Sequence, residues 1–210
     1  MAKNFISNKD ESVRMFENNF LDKFTRIHYT VPLYIFGPVI LYSIYRSISI
    51  DHLSFFIISA FLLFGLFIWT LTEYVMHRFV FHWMPPGKFG KRLHFVFHGV
   101  HHDYPSDSKR LVMVPTVSIP LAALFFFLFK FFIGDSHVFP FFAGFLLGYL
   151  IYDMIHYAVH HFNLKSKFWL DLKQYHMLHH YKDMDNGYGV SSKFWDLIFR
   201  TTFGKAEKGD

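Results

Sequence analysis

The sequence predicts an all-α integral membrane protein, with four transmembrane helices and a cytosolic helical cap. Three observations predict it. Four segments are apolar over nearly the length a membrane helix needs. Histidine reaches 15 of 210 residues, clustered just beyond those segments. Lysine and arginine fall almost entirely on one side of the implied membrane.

Composition narrows the chemistry. With 30 phenylalanines and a hydrophobic fraction of 52%, the chain has more apolar surface than a soluble domain of this size needs. The net charge of +5 reads as a basic membrane face, not a nucleic-acid site. There is no cysteine, which removes disulfides, thiolate-bound haem, cysteine-ligated iron–sulfur clusters and cysteine zinc sites. A metal in this chain must be held by His, Asp or Glu.

Residues 1–28 read as an N-terminal cytosolic arm; they are polar and lack a signal-peptide core. Phe16, Phe20 and Phe24 stand at i, i+4 and i+8, the spacing of a helix resting on the membrane surface. Residues 29–210 form one membrane domain with spans at about 29–48, 53–72, 111–130 and 138–156. Pro32 and Pro38 suggest a kink in the first span. The fourth apolar run, Val138–Tyr152, reaches membrane length by continuing into the helix that carries His156 and His160. Ser49-Ile50-Asp51 and Gly134-Asp135 read as tight turns.

Four spans put both termini, loop 73–110 and the region 156–204 on one side. The arm carries five Lys/Arg, loop 73–110 six and the C-terminal tail eight, whereas the opposite connections carry Arg46 and Lys130 alone. The positive-inside rule then makes the termini and the histidine-rich regions cytoplasmic.

His98, His101 and His102 stand at i, i+3 and i+4, which puts three imidazoles on one face of a helix. His176, His179 and His180 repeat the spacing, and His156 and His160 are an i, i+4 pair. His77 and His82 are five apart, so they meet only at a π-bulge or where the helix breaks before Pro85-Pro86. A single such pair is more often an ordinary interfacial pair. Four groups at one membrane face are not. Ten imidazoles suit two metals with about five nitrogens each, more than the three protein ligands of a catalytic zinc or the two axial ligands of a haem. Imidazole accepts zinc, copper, iron and nickel, and a pair of redox metals is the most economical account.

Glu73, His94, Asp153 and Asp183 sit one helical turn from ligand positions and are candidates to hydrogen-bond the far nitrogen of a ligand ring. His161 points away from His160, and His28, His52 and His137 lie outside the groups. Asp103 reads as solvated.

The stretches EYVMHRFVFHWMPP, LHFVFHGVHHDYPSDSKRLVMVP, GYLIYDMIHYAVHH and YHMLHHYKDMDNGYGVSSKFWD resemble the membrane fatty acid hydroxylase/sterol desaturase superfamily, and within it the fatty acid 2-hydroxylases. The resemblance runs from about Glu73 to Gly204. It implies a cytosolic di-iron site and O2-dependent hydroxylation of the carbon next to an acyl carbonyl. It assigns His77, His82, His98, His102 and His179 to one metal. It assigns His101, His156, His160, His176 and His180 to the other. Zinc, which outcompetes ferrous iron at nitrogen sites, can occupy both in purified protein. Tyr104, Asp107, Arg110, Tyr188 and Trp195 lie in the matching stretches as candidates for the substrate entrance. Eukaryotic members carry a fused cytochrome b5-like domain. Only 28 residues precede the first span here, without a haem-binding HPGG-like stretch, so the expected electron donor is a separate cytochrome b5-like or ferredoxin-like protein.

The expected substrate is a fatty acid or the fatty acyl chain of a lipid, and no nucleic acid is expected. The membrane is the bacterial inner membrane or the endoplasmic reticulum, according to source. Two rivals differ in class. One is a sterol, carotenoid or acyl desaturase or hydroxylase with the same site. The other is a non-enzymatic membrane metal-binding or transport protein, which would place polar ligands nearer the bilayer middle.

Overall fold

The computed structural model describes residues 5–204, and the described residues are helical with connecting loops. A short α1 (Asn19–Lys23) lies in the arm. The long helices are α2 (Val31–Ser49), α3 (Phe55–Val75), α6 (Pro115–Ile133) and α7 (Val138–His161). All four are long and apolar enough to cross a membrane. Between α3 and α6 come a π-helical turn π1 (Met76–Phe81), α4 (Gly87–His94), a second π turn π2 (Phe95–Gly99) and α5 (Val100–Asp103). After α7 come α8 (Lys167–Tyr181) and a short α9 (Phe194–Ile198).

The ends of the spans follow from local chemistry. The Ser54 hydroxyl accepts the Ile57 N–H and starts α3. Pro115 occupies the first turn of α6, where its missing N–H costs nothing. Gly134, at φ 89°, stops α6 in a conformation that other residues rarely adopt. Pro32 likewise sits in the first turn of α2, and Pro38 is carried inside a helix that runs unbroken for 19 residues. α7 is one helix of 24 residues, so the fourth apolar run does continue into His156 and His160.

Helix α7 is the axis of the bundle. Of its apolar window 72% is buried, against 6% for α6. It packs closely on α3 and α2, and more lightly on α6 and α8. The α3–α7 contact needs glycine. A Cβ on Gly65 would lie 1.9 Å from the Phe141 carbonyl oxygen, and one on Gly144 would lie 1.9 Å from that of Leu62. Around this seam Trp69, Phe145, Tyr149 and Phe36 form the core. The outward Phe55, Phe56, Phe131 and Phe132 are strongly exposed, as suits side chains facing lipid.

The arm departs from expectation. Its regular helix is the five residues of α1, and Phe20 and Phe24 are exposed there while Phe16 is half-buried. Instead of lying on the membrane as one helix, it straps the cap. The Ile6 and Ser7 N–H groups donate to the Asp103 carbonyl, Ser12 Oγ donates to Asp107 (2.6 Å), and the Asp10 carboxylate accepts the Ser108 N–H. Arg92 donates to the Met15 carbonyl, and Arg110 to that of Val13.

Candidate metal centre

The ten histidines converge from five elements, π1, π2, α5, α7 and α8, in two groups of five. The first is His77, His82, His98, His102 and His179; the second is His101, His156, His160, His176 and His180. This is the partition that the resemblance implies. Each of the two i, i+3, i+4 triplets feeds both groups. His98 and His102 enter the first and His101 the second, while His176 and His180 enter the second and His179 the first. Neighbouring residues on a helix point about 100° apart, so adjacent rings such as His101 and His102 can serve different centres.

The five-residue gap between His77 and His82 is bridged by π1. There the His82 N–H donates to the His77 carbonyl (3.2 Å), and the two Nε2 atoms come within 3.3 Å. The second turn, π2, has no counterpart in the histidine spacing. Its effect falls on His94, which leaves the His98 face and packs its ring against Gly99, 3.1 Å from where a Cβ would sit. His94 therefore stands beside the cluster, its ring 6.5 Å from that of His82.

In the first group Nε2 atoms face each other at 3.1 Å (His77–His98), 3.0 Å (His98–His102) and 3.0 Å (His82–His179). In the second they stand at 3.0 Å (His101–His156), 2.9 Å (His160–His176) and 3.0 Å (His176–His180). These contacts cannot all be hydrogen bonds, because each Nε2 carries either one proton or one lone pair while His98 and His176 each face two other Nε2 atoms. Nδ1–H of His77 donates to the Tyr188 carbonyl (2.6 Å), that of His179 to Asn186 (2.7 Å) and that of His156 to Leu111 (3.1 Å). A neutral ring with its proton on Nδ1 presents a bare lone pair at Nε2. Burial, reinforced for all but His179 by the neighbouring imidazoles, holds the cap histidines neutral: His82 is pushed down to about 3 and His179 to about 4, and His98, His101, His102, His176 and His180 lie well below the usual range. Lone pairs converging at such distances in a dry site call for a cation between them. Nitrogens bound at about 2.1 Å and at right angles lie about 3.0 Å apart, so the spacing fits two metal ions. Five nitrogens per metal would leave an octahedral ion one open position.

The carboxylates support the site by another route than expected. Glu73 hydrogen-bonds to none of the imidazoles among the described residues. It accepts the Val190 and Ser191 N–H groups at 2.8 Å and the Ser191 hydroxyl. Asp153 is buried with Oδ2 unpartnered among the described residues, and its expected place at His156 Nδ1 is taken by the Leu111 carbonyl. Asp183 reaches His179 through Asn186, whose amide it accepts at 2.8 Å and whose carbonyl holds the ring. Asp103 serves through its carbonyl, as a stop for the arm.

Sequence reasoning missed Asp196. It is fully buried and accepts the Tyr188 and Gly189 N–H groups and the Thr201 hydroxyl at 2.8–3.0 Å. Burial nonetheless pushes its carboxyl above the usual range. With Glu73 it clamps residues 188–191, the turn that presents the Tyr188 carbonyl to His77. Its only sequence signal was an acidic residue inside an aromatic stretch, SSKFWD.

The entrance candidates separate. The Tyr188 ring stands 5.5–5.8 Å from those of His77, His82 and His179. Trp195 Nε1–H donates to Thr70 on α3 (3.0 Å), and Tyr104 closes α5. Asp107 and Arg110 are buried, paired at 3.1 Å and tied to Ser12, Val13 and Thr25, so they anchor the arm.

Residues 62–201 match the family model described as fatty acid hydroxylase. The chain is 38% identical over 192 residues to the dihydroceramide fatty acyl 2-hydroxylase FAH1 of Arabidopsis thaliana, covering 91% of this chain and 80% of the plant protein. It is 35% identical to the fatty acid 2-hydroxylase of Rattus norvegicus, covering 90% of this chain and 56% of the rat protein. It is 38% identical to the ceramide very long chain fatty acid hydroxylase SCS7 of Saccharomyces cerevisiae, covering 89% and 48%. The chain thus spans about half the length of the rat and yeast relatives. Among solved structures it is similar to full-length scs7p, in which only the hydroxylase domain is visible, with a TM-score of 0.84, 37% identity and coverage of 91% of this chain and 73% of that one.

Proposed function

Because the chain belongs to the fatty acid hydroxylase family, we propose that it hydroxylates carbon 2 of fatty acids or of the acyl chains of lipids, with two iron ions and O2. Its curated relatives are fatty acid 2-hydroxylases, and the chain is a hydroxylating oxidoreductase of that kind. The observation that carries the finer reading is the pair of five-histidine groups with converging lone pairs. When bound, two redox metals there would supply the reductive activation of O2.

The chain's own residues do the positioning. The carbonyls of Tyr188, Leu111 and Asn186 fix the tautomer of His77, His156 and His179 and aim each Nε2 inward. Burial of the rings excludes water from the reacting volume. An acyl chain would arrive from the bilayer between α6 and the α3–α7 pair. An apolar crevice opens there, lined by Trp69, Met113, Ser118, Ala122, Phe125 and Tyr149. Met113, in its lining, lies two residues beyond Leu111, whose carbonyl holds His156 of the second histidine group. Electrons would be delivered on the face that carries the basic loops, which the charge distribution makes the cytoplasmic one.

Lipid mass spectrometry tests this reading. An iron-loaded, reductant-supplied host expressing the chain should gain 2-hydroxy acyl chains. His98→Ala or His176→Ala, each removing one group's ligand, should abolish the gain. Purified protein should hold about two metals per chain, zinc included. Unchanged host lipids with both metals in place would overturn the hydroxylase reading, and a new double bond or hydroxyl elsewhere would favour a sibling enzyme.

A further inference from the structure

A second cleft lies outside the two histidine groups, and none of their ten members lines it. It holds about 500 Å³ and is lined by Asn19, Asp22, Lys23, Arg26, Ile27, His28, Ser108, Lys109 and Tyr157. Its size is that of a ligand site, and its height in the membrane is fixed from two sides. The span α2 begins three residues after His28, and Tyr157 stands four residues before the end of α7. Tyr29 stacks on Tyr157 with ring centroids 4.1 Å apart, an aromatic pair of the kind that marks the headgroup level.

The charge of the cleft is unbalanced. Three permanent cations line it, Lys23, Arg26 and Lys109, against one anion, Asp22. Asp22 is already committed: it pairs with Arg26, stands 3.9 Å from Arg110 and accepts the Met15 N–H at 2.7 Å. Asp10, on the Lys109 side, accepts the Ser108 N–H. Lys23 and Lys109 form no ion pair within 4 Å among the described residues, and both are exposed. The two lysines therefore line one cleft, without an ion pair, at headgroup height.

We propose that this cleft binds the phosphate headgroup of an anionic membrane lipid, which bridges the arm (Asn19–His28) to the cap (Ser108–Lys109). Basic pockets beside transmembrane helices on the cytoplasmic side are suited to such headgroups. The bound lipid would lock the strap that the arm lays over the cap, independently of the acyl substrate.

The test uses the full metal-loaded chain, delipidated in detergent, with phosphatidylglycerol, phosphatidylcholine or inorganic phosphate as probe. Phosphatidylglycerol should raise the thermal midpoint in a saturable way, and the other two should not. The double variant Lys23→Gln/Lys109→Gln, checked for wild-type metal content, should bind phosphatidylglycerol roughly thirtyfold more weakly. Should it fail to fold, the wild type alone decides, because its affinity must fall severalfold as salt screens the lysines. An equal response to phosphatidylcholine, an unaltered variant or a salt-independent response overturns the proposal. Saturation by inorganic phosphate overturns the lipid source and makes this a soluble-anion site.

Discussion

At the scale of single residues, histidine spacing was enough to name the ten convergent rings, because helical geometry alone decides which imidazoles share a face. The carboxylates were not legible in the same way. Glu73 stands one turn before His77, and spacing therefore points it at that ring. Its true partners are the Val190 and Ser191 N–H groups, 117 and 118 residues away, and no local rule reveals a contact of that separation. Glu73 still governs His77, through the turn whose Tyr188 carbonyl receives Nδ1–H. Glu73→Ala would leave two N–H groups without their acceptor, at about 1–3 kcal/mol for each buried one, and would let that carbonyl drift. Loss of such support typically weakens a metal site by about 10–100-fold. The expected outcome is selective: after a chelator challenge, metal content should fall from about two per chain to about one, with the second group still loaded. Glu73→Gln, which keeps an oxygen for both N–H groups, should lose less. Retention of both metals in Glu73→Ala would show that the clamp does not govern the first group.

At the scale of elements, the two π turns show where sequence periodicity succeeds and where it fails. The first was legible because two ligand-type residues five apart demand it. The second, Phe95–Gly99, ends just past His98 and leaves the 98–101–102 spacing usable, so it disturbs no spacing that a reader would test; only the displaced His94 betrays it. The glycines of α7 were a missed signal. Gly144 and Gly148 stand four apart, the small-residue spacing of closely packed membrane helices. Gly144→Leu would set a side chain against the Leu62 backbone, which cannot rotate away. The helices must then part, with a stability loss of about 1–3 kcal/mol. The seam joins the helix leading into His77 to the helix bearing His156 and His160, so both groups should load poorly. Thermal melting and metal content of the purified variant check this. Gly37→Ala, with nothing within 4 Å of the added methyl, is the control and should melt no lower than wild type. Equal melting and loading of Gly144→Leu would mean that the seam does not set the spacing of the site.

At the scale of the whole molecule, hydropathy exposed the four spans because a bilayer imposes one length and one composition on every helix that crosses it. The strap was hidden for the opposite reason. The arm is polar, and its partners are backbone groups and acids of loop 103–110, which leave no periodic trace. The sidedness we propose rests on charge, since the arm, the cap loops and the tail hold all but two of the 21 lysines and arginines. The lack of cysteine makes that orientation directly measurable, because one engineered thiol is the only thiol present. Asp135→Cys lies in the exposed turn after α6, and Lys88→Cys in exposed α4 beside the histidines. In right-side-out vesicles a membrane-impermeant maleimide should label the first and spare the second; in inverted vesicles the pattern should reverse. That outcome puts the metal centre on the face where reductant proteins and iron are available. The opposite outcome would place the centre across the membrane from its electron donor, and would sink the proposed source of electrons while leaving the fold and the two histidine groups untouched.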